Sequence, residues 1–481
     1  MAGIDILGIE VLLIIFNMLT LHDKLMAMRV ERRWYNIIKT SHAWKVINFC
    51  TIYTPQNSLI LSGQSNHFRK NNKVWQLSKN EHDVFTFITL YAGVALREIR
   101  LFAVSFDILE FLRTNCLNLQ VLDFSRADSH CLFTADEVMK IDFPPNVKAI
   151  GVCLPGGFWW QGVNKQTEWK SMNNETRYAA CRQKLHQAER LLSRLAKCSN
   201  LQKVRLRSVV LSVRTMQHIV QNTKLREIDL LTCIPYEGND SESTIENVLF
   251  YGDMKVYDVV LTKSIGTMTS ITSFTLVLKA NITPAVLHNF LHCISQWKNL
   301  KKLVLKWVIF SEAAFEIMIL GLLNLNTLEL EGRSITSNVV ALIGKHLTKI
   351  KVLHLKHGKY STESVRTLLN HSCLESLVLM EPKPYRGIIG ILKKRAWLLE
   401  IYNTLVSLLK LRSVKLIGLH LPTMHKQELL QLPVLESVDI EVSESIRELI
   451  KDNIVDSEEE FNRVNCNFFC HGYYYGDTFF N

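Results

Sequence analysis

Apolar residues recur along most of this chain with the spacing L-x-x-L-x-L, where L stands for an aliphatic residue or Phe. Twelve such segments begin at positions 96, 119, 147, 201, 225, 271, 300, 325, 350, 374, 411 and 435. Most successive starts lie 23 to 29 residues apart, which is the period of arrays built from one strand and one helix per repeat. A single segment of this kind would mean little in a chain rich in leucine, whereas twelve at this spacing indicate a repeat array.

Helical periodicity lies between the predicted strands. Phe106, Leu109 and Leu112 share one helical face, and so do Leu287, Leu291 and Ile294. Each unit is therefore predicted to be a short strand followed by a helix. Since no unit buries its apolar face alone, the units are expected to stack into a curved α/β solenoid with the strands on the concave side. This pattern is typical of leucine-rich repeats, here over residues 96–440, with insertions near 155–185 and 233–265.

The first forty residues follow a different pattern. The run from Val11 to Phe16 is apolar on nearly every helical face, and such a helix must be buried by a core, a membrane or a partner. Three helices are predicted here, at about 9–19, 22–30 and 31–40. A segment this small cannot cover its own first helix fully, so a partner is expected to cover it. A plain cap on the repeat array is the alternative, although such caps keep a polar outer face.

Specific residues then connect this segment to a family. The chain carries Leu7-Gly8-Ile9-Glu10, Val11-Leu12, Ile15-Phe16, Leu19, Asp23-Lys24-Leu25, Val30-Glu31-Arg32-Arg33-Trp34 and Ala43-Trp44. In order and spacing this resembles an F-box, with Gly8 and Glu31 standing where that motif has Pro and Cys. The resemblance places an F-box at 4–49 and a linker or N-terminal cap of the solenoid at 50–95.

An F-box followed by leucine-rich repeats resembles the substrate receptors of SCF-type cullin ubiquitin ligases. The resemblance implies that the F-box docks on a Skp adaptor, and through it on a cullin scaffold, while the repeats capture a protein substrate that the sequence does not identify. It implies no cofactor, because other subunits perform the catalysis. The main alternative is a leucine-rich-repeat interaction scaffold without ubiquitin transfer. The residues expected to contact the adaptor are Leu7, Glu10, Leu12, Ile15, Phe16, Leu19, Leu25, Val30 and Trp34.

The formal charge is +11, yet charge is balanced on the strand face that the repeat exposes. Alternation along the strands predicts eight cations and eight anions there, which makes nucleic acid an unlikely chief ligand. One strand carries Lys203, Arg205 and Arg207, and the next carries Glu227 and Asp229. These groups either neutralise one another or form a subsite for an acidic or phosphorylated segment. Further candidate contacts to substrate are Arg100, Lys302 and Lys306.

Catalytic motifs and metal-ligand spacings are missing from the sequence, so it predicts a binding protein that is not an enzyme. The eleven cysteines form no CxxC pair and suit reduced thiols, which favours the cytoplasm, the nucleus or both. Cys466, Cys470 and His471 fit buried thiols beside a histidine better than a zinc site, for which a second ligand pair is missing. No membrane segment is predicted. Residues 441–481 end in an aromatic run, expected to be a C-terminal cap or a tail across the concave face.

Overall fold

The computed structural model describes residues 7–19, 21–40, 44, 46–48, 95–101, 106–125, 140–153, 186–222, 224–236, 254–278, 285–370, 373–380, 405, 408, 410–417 and 434–441. The chain divides into two compact units. The first comprises Met1–Gly252 with Lys263–Ile265, and the second comprises Asp253–Thr262 with Gly266–Asn481.

Three short helices open the first unit: α1 (Ile9–Met18), α2 (Leu21–Val30) and α3 (Arg32–Thr40). Their bounds lie within one residue of those predicted. The Phe16 ring meets the Trp34 ring edge-on at a centroid distance of 5.6 Å, which ties α1 to α3. The buried Trp44 indole donates to the carbonyl oxygen of Ile38 at 2.6 Å and so anchors the segment that follows α3.

The rest of the first unit is a parallel strand ladder with helices between its strands. The ladder runs in the order β1 (Val46–Asn48), β2 (Glu98–Arg100), β3 (Val121–Asp123), β4 (Ala149–Cys153), β5 (Lys203–Arg207) and β7 (Glu227–Leu231). The helices are α4 (Phe106–Asn115), α5 (186–196) and α6 (Val213–Val220). A short side ladder pairs β6 (Val210–Ser212) with β8 (Ile234–Tyr236).

The second unit repeats this arrangement with seven parallel strands. These are β9 (Ser273–Val277), β11 (Lys302–Lys306), β13 (Thr327–Glu331), β14 (Val352–Lys356), β15 (Ser376–Met380), β16 (Ser413–Ile417) and β17 (Ser437–Glu441). The helices are α7 (Met254–Ser264), α8 (Asn289–Ile294), α9 (Glu312–Gly321), α10 (Ser337–His346) and α11 (Thr362–Arg366). A side ladder pairs β10 (Ala285–Val286) with β12 (Val308–Ile309).

A strand lies in each of the twelve segments that the L-x-x-L-x-L spacing marked. Their burial alternates: in β13, Leu328 and Leu330 are buried, whereas Thr327, Glu329 and Glu331 are partly exposed. The inward leucines of successive strands stand in register, for example Leu328 opposite Leu303 and Leu353. Stacked strand-and-helix units with an inward leucine ladder are the leucine-rich-repeat architecture, so this part of the predicted fold is confirmed in each unit.

Some predicted segments lie outside the described residues. These are nearly all of the 50–95 linker, the 155–185 insertion, and residues 442–481 with Cys466, Cys470 and His471. The 233–265 insertion is only partly an insertion, because β8 and α7 occupy its two ends. The sequence pattern also did not predict β1 or the two side ladders.

Candidate binding surfaces

Helix α1 has two apolar faces with different roles. Leu12 and Phe16 are buried, at 0% and 2% exposure, on the face turned toward the chain. On the other face Val11, Ile14 and Met18 are 45%, 62% and 82% exposed. The exposed positions follow the helical spacing i, i+3, i+7, so they form one continuous stripe along α1. We call Val11, Ile14, Ile15 and Met18 the apolar stripe; Ile9, at the start of the helix, is exposed but lies on the side of Leu12 and Phe16.

The predicted adaptor contacts divide between these faces. Glu10, Ile15 and Val30 are exposed, and Leu7, Leu19 and Trp34 are partly exposed. Leu25 lies in α2, but its side chain is outside the described residues. The prediction for Leu12 and Phe16 needs correction, since their side chains are covered by the chain itself and support α1 from beneath.

Three members of the apolar stripe were missed as site residues: Val11, Ile14 and Met18. The run from Val11 to Phe16 is so uniformly apolar that hydrophobicity alone does not tell its two faces apart. Helical spacing measured from the motif residue Phe16 could have told the two faces apart. Leu12 lies one turn before Phe16 on the same face, and the stripe residues lie elsewhere around the helix.

Gly8, where the F-box motif has Pro, is the N-cap of α1 with φ −61° and ψ 154°. Proline fixes φ near −65°, so this backbone already has the conformation that proline imposes. A Cβ built at Gly8 meets nothing within 4 Å. The departure from the motif therefore leaves the entry to α1 unchanged in geometry. Glu31 lies between α2 and α3.

The basic strand β5 is neutralised by its neighbours. The Lys203 ammonium lies 2.7 Å from the Glu227 carboxylate, and the Arg205 guanidinium lies 3.1 Å from Asp229 and 3.3 Å from Asp123. On β2, Arg100 pairs with Glu98 at 2.7 Å. Of the two alternatives for this cluster, the geometry shows mutual pairing.

A glycine makes the longest of these pairings possible. Asp123 on β3 reaches Arg205 on β5 across the intervening strand β4, where Gly151 stands in register with both. A Cβ at Gly151 would lie 2.0 Å from the Asp123 carboxylate. The remaining cation, Arg207, points a guanidinium nitrogen at the carbonyl oxygen of Ser125 at 3.5 Å.

In the second unit a larger charge network covers β11, β13 and β14. Glu329 lies 3.2 Å from the Lys302 ammonium, 3.9 Å from that of Lys306 and 3.6 Å from the His354 imidazole. Burial opposes ionisation of Glu329, but His354, Lys302 and Lys306 outweigh it and hold the pKa of the carboxyl at about 2. Glu331 in turn lies 3.8 Å from Lys306.

The ends of the same strands have unusual backbone geometry. Trp307 and His357 follow β11 and β14 directly and have φ of 62° and 58°, in the left-handed region that bulky residues seldom adopt. Their rings lie 5.0 Å apart between centroids, and between them in the ladder stands Gly332 with φ 136°. His357 also lies 3.7 Å from the Glu331 carboxylate. The Trp307 indole nitrogen is buried and has no hydrogen-bond partner among the residues that the structure describes.

The described ranges contain neither a metal-binding cluster nor a membrane-spanning helix. No cluster of three or more His, Cys, Asp or Glu residues suited to a metal occurs there. Burial raises the pKa of the Cys116 and Cys198 thiols to about 11, which makes both weak nucleophiles at neutral pH. Within the same residues, no helix has the length and hydropathy needed to cross a bilayer.

No protein-family model matches the chain, and no curated protein matches it either. Among solved structures, an internalin (inlF) from Listeria monocytogenes aligns with 67% of this chain and 81% of its own, at 13% identity and a TM-score of 0.31. A chain of the Rad7 and Elc1 complex in yeast aligns with 75% of this chain and 88% of its own, at 14% identity and a TM-score of 0.38. Likeness at this level does not indicate what the chain binds.

Proposed function

We propose that this chain is a substrate-binding subunit of an SCF-type ubiquitin ligase, in which α1 docks on a Skp adaptor and the repeats hold a protein substrate. The observation that carries the proposal is the apolar stripe, because it is exposed on a helix whose sequence resembles an F-box. The subunit would act without catalytic groups of its own, in the cytoplasm, the nucleus or both. Tethering through the adaptor and a cullin raises the effective concentration of substrate lysines near the conjugating enzyme that carries ubiquitin.

The stripe is large enough to anchor a partner. Its four side chains are between 39% and 82% exposed in the chain by itself. Covering the exposed part of each would contribute about 1–2 kcal/mol, and a few such central contacts usually dominate an interface. Leu12 and Phe16 hold α1 in place beneath the stripe, so the surface is preorganised before a partner arrives.

Co-purification tests this proposal with a matched pair of double variants. Ile14→Asp with Ile15→Asp places two charges on the stripe, at positions that are 62% and 39% exposed. Ile317→Asp with Leu320→Asp makes the same change on α9, at positions that are 48% and 52% exposed. Each chain is co-expressed with a Skp adaptor, and the eluted complex is measured.

We expect the α1 variant to lose the adaptor and the α9 variant to retain it, with thermal unfolding of both close to that of the unmodified chain. Phe16→Asp is unsuitable here because it places a charge in a buried site and disrupts α1 itself. Retention of the adaptor by the α1 variant, or equal loss in both, would contradict the proposal.

The alternative of a scaffold without ubiquitin transfer makes a different prediction. With the proteasome inhibited, a ligase receptor retains proteins that carry ubiquitin, and this modification disappears in the Ile14 and Ile15 double variant. A scaffold retains the same proteins unmodified in both chains. Mass spectrometry of the captured proteins separates the two cases.

A further inference from the structure

Lys356 differs from five other basic residues on the strand faces. It is the last residue of β14 and stands in register with Glu331. Those five, Lys203, Arg205, Lys302, Lys306 and Lys415, each have a carboxylate oxygen within 4 Å. Among the residues that the structure describes, no carboxylate lies within that distance of the Lys356 ammonium.

The neighbouring anions are already engaged. Glu331, the nearest in register, lies 3.8 Å from Lys306 and 3.7 Å from His357. Glu329 is shared by Lys302, Lys306 and His354. This group of three strands therefore has three lysines against two carboxylates, and the excess positive charge falls at Lys356.

Lys356 is also half-buried, so water compensates its charge only in part. Burial is the largest influence on it and lowers the pKa of its ammonium, while Glu331 acts in the opposite direction. A half-buried cation with no carboxylate in contact is less well compensated than the paired cations on the neighbouring strands.

Two aromatic rings lie at the adjacent strand ends. Trp307 and His357 hold their rings against each other at 5.0 Å, with both backbones in the left-handed region. Ser208 and Thr232, directly after β5 and β7, have the same left-handed backbone, so this geometry is a recurring turn at the strand ends and the ring contact is what distinguishes Trp307 and His357. Gly332 between them has φ 136°, a backbone conformation that glycine adopts without strain.

We propose that Lys356, with the ring pair of Trp307 and His357 beside it, binds a single anionic group, a carboxylate or a phosphate, on an extended segment of a partner protein. The anion gives Lys356 a close negatively charged oxygen, which the described residues do not provide, and the rings support the adjoining part of the segment. A protein is favoured over nucleic acid because one excess charge beside an acidic network does not match a polyphosphate backbone. This inference rests on the proposed function in one respect: the partner protein is taken to be the ubiquitination substrate.

The test uses the full chain in complex with its adaptor and three libraries of otherwise random peptides. Each library has one invariant residue, which is phosphoserine in the first, glutamate in the second and serine in the third. Since a hydrogen bond to a charged group contributes about 1.5–3 kcal/mol, we expect about tenfold to a hundredfold more recovery of an anionic library than of the serine library. Comparison of the phosphoserine and glutamate libraries identifies which anion the site prefers.

Two variants connect the effect to this site. Lys356→Met removes the charge and keeps the length, and we expect it to abolish the preference while leaving the chain at least as stable. Lys415→Met, the control, removes a cation that already pairs with Asp439 at 2.9 Å, and it should keep the preference. The idea is overturned if the three libraries are recovered equally, if Lys356→Met keeps the preference, or if RNA oligonucleotides displace the peptides with a steep salt dependence.

Adaptor co-elution is measured in the same samples, so the two proposals fail separately. Loss of the adaptor only in the Ile14 and Ile15 double variant, with no peptide preference in any chain, rejects the anion site and keeps the F-box assignment. A peptide preference without adaptor binding rejects the ligase and keeps the anion site.

Discussion

Replacing Glu329 tests whether the charge network of the second unit stabilises the strand ladder. Its carboxylate is the common partner of Lys302, Lys306 and His354, and its side chain is only 18% exposed. Glu329→Gln keeps the shape and removes the charge. The three basic groups then lose their shared counter-ion, and we expect β13 and β14 to be destabilised at neutral pH.

The magnitude follows from the pKa of Glu329, which falls from an ordinary 4.5 to about 2 in the folded chain. Because the folded pKa is the lower one, the contribution is complete well above pH 4.5 and is lost as the pH falls toward 2. The full difference corresponds to about 3 kcal/mol, as an upper estimate for a coupled network. About a quarter of it is lost by pH 4, and more than half by about pH 3.

The local stability of β13 and β14 is measured in urea, with unfolding monitored by amide hydrogen exchange in peptides that cover these two strands. The difference in stability between the unmodified chain and Glu329→Gln should shrink as the pH falls from 7 to 4 and then to 3. Glu363→Gln is the control, since Glu363 is 82% exposed and should show no such dependence. A difference that stays constant across this range, or a Gln variant that is the more stable at pH 7, would refute the electrostatic account.

Three further substitutions test the first unit. Gly8→Pro should stabilise the N-terminal helices by about 0.4–1 kcal/mol in urea, because it restricts the unfolded chain while φ is already −61°; a loss of stability would show that proline does not fit this N-cap. Phe16→Ala should destabilise the same helices by about 3 kcal/mol, since it empties a buried site against Trp34, and amide exchange of α1 measures this; unchanged exchange would mean that α1 does not depend on Phe16. Gly151→Ala should lower the thermal midpoint, because the new methyl group would displace the Asp123 carboxylate 2.0 Å away, and an unchanged midpoint would argue against that contact.

The repeat fold could be predicted because its signal is periodic. One leucine pattern repeated twelve times predicts strands that must stand in register, and register also places charges opposite one another. Lys203 and Glu227 are 24 residues apart and meet at 2.7 Å, as do Lys351 and Glu375. Pairing between neighbouring repeats could therefore be anticipated from sequence spacing.

Other features have no periodic signal. The contact of Arg205 with Asp123 spans 82 residues, and it depends on a glycine in the strand between them. The left-handed backbone at Trp307 is also hidden from the sequence, because tryptophan has no preference for that region. The face of α1 that stays exposed depends on the packing of Phe16 against α3, which uniform hydrophobicity does not encode.

The pairing of most strand charges also limits where a ligand is recognised. An anion that approaches Arg205 must compete with Asp229 and Asp123, which are 9% and 14% exposed and already lie beside the guanidinium. Breaking such a pair leaves a largely buried carboxylate uncompensated, which costs more than the new contact returns. At Lys356 no close pair has to be broken, because among the described residues no carboxylate lies within 4 Å of its ammonium. Electrostatic recognition of an acidic segment should therefore depend on this one lysine more than on the more conspicuous basic strand β5.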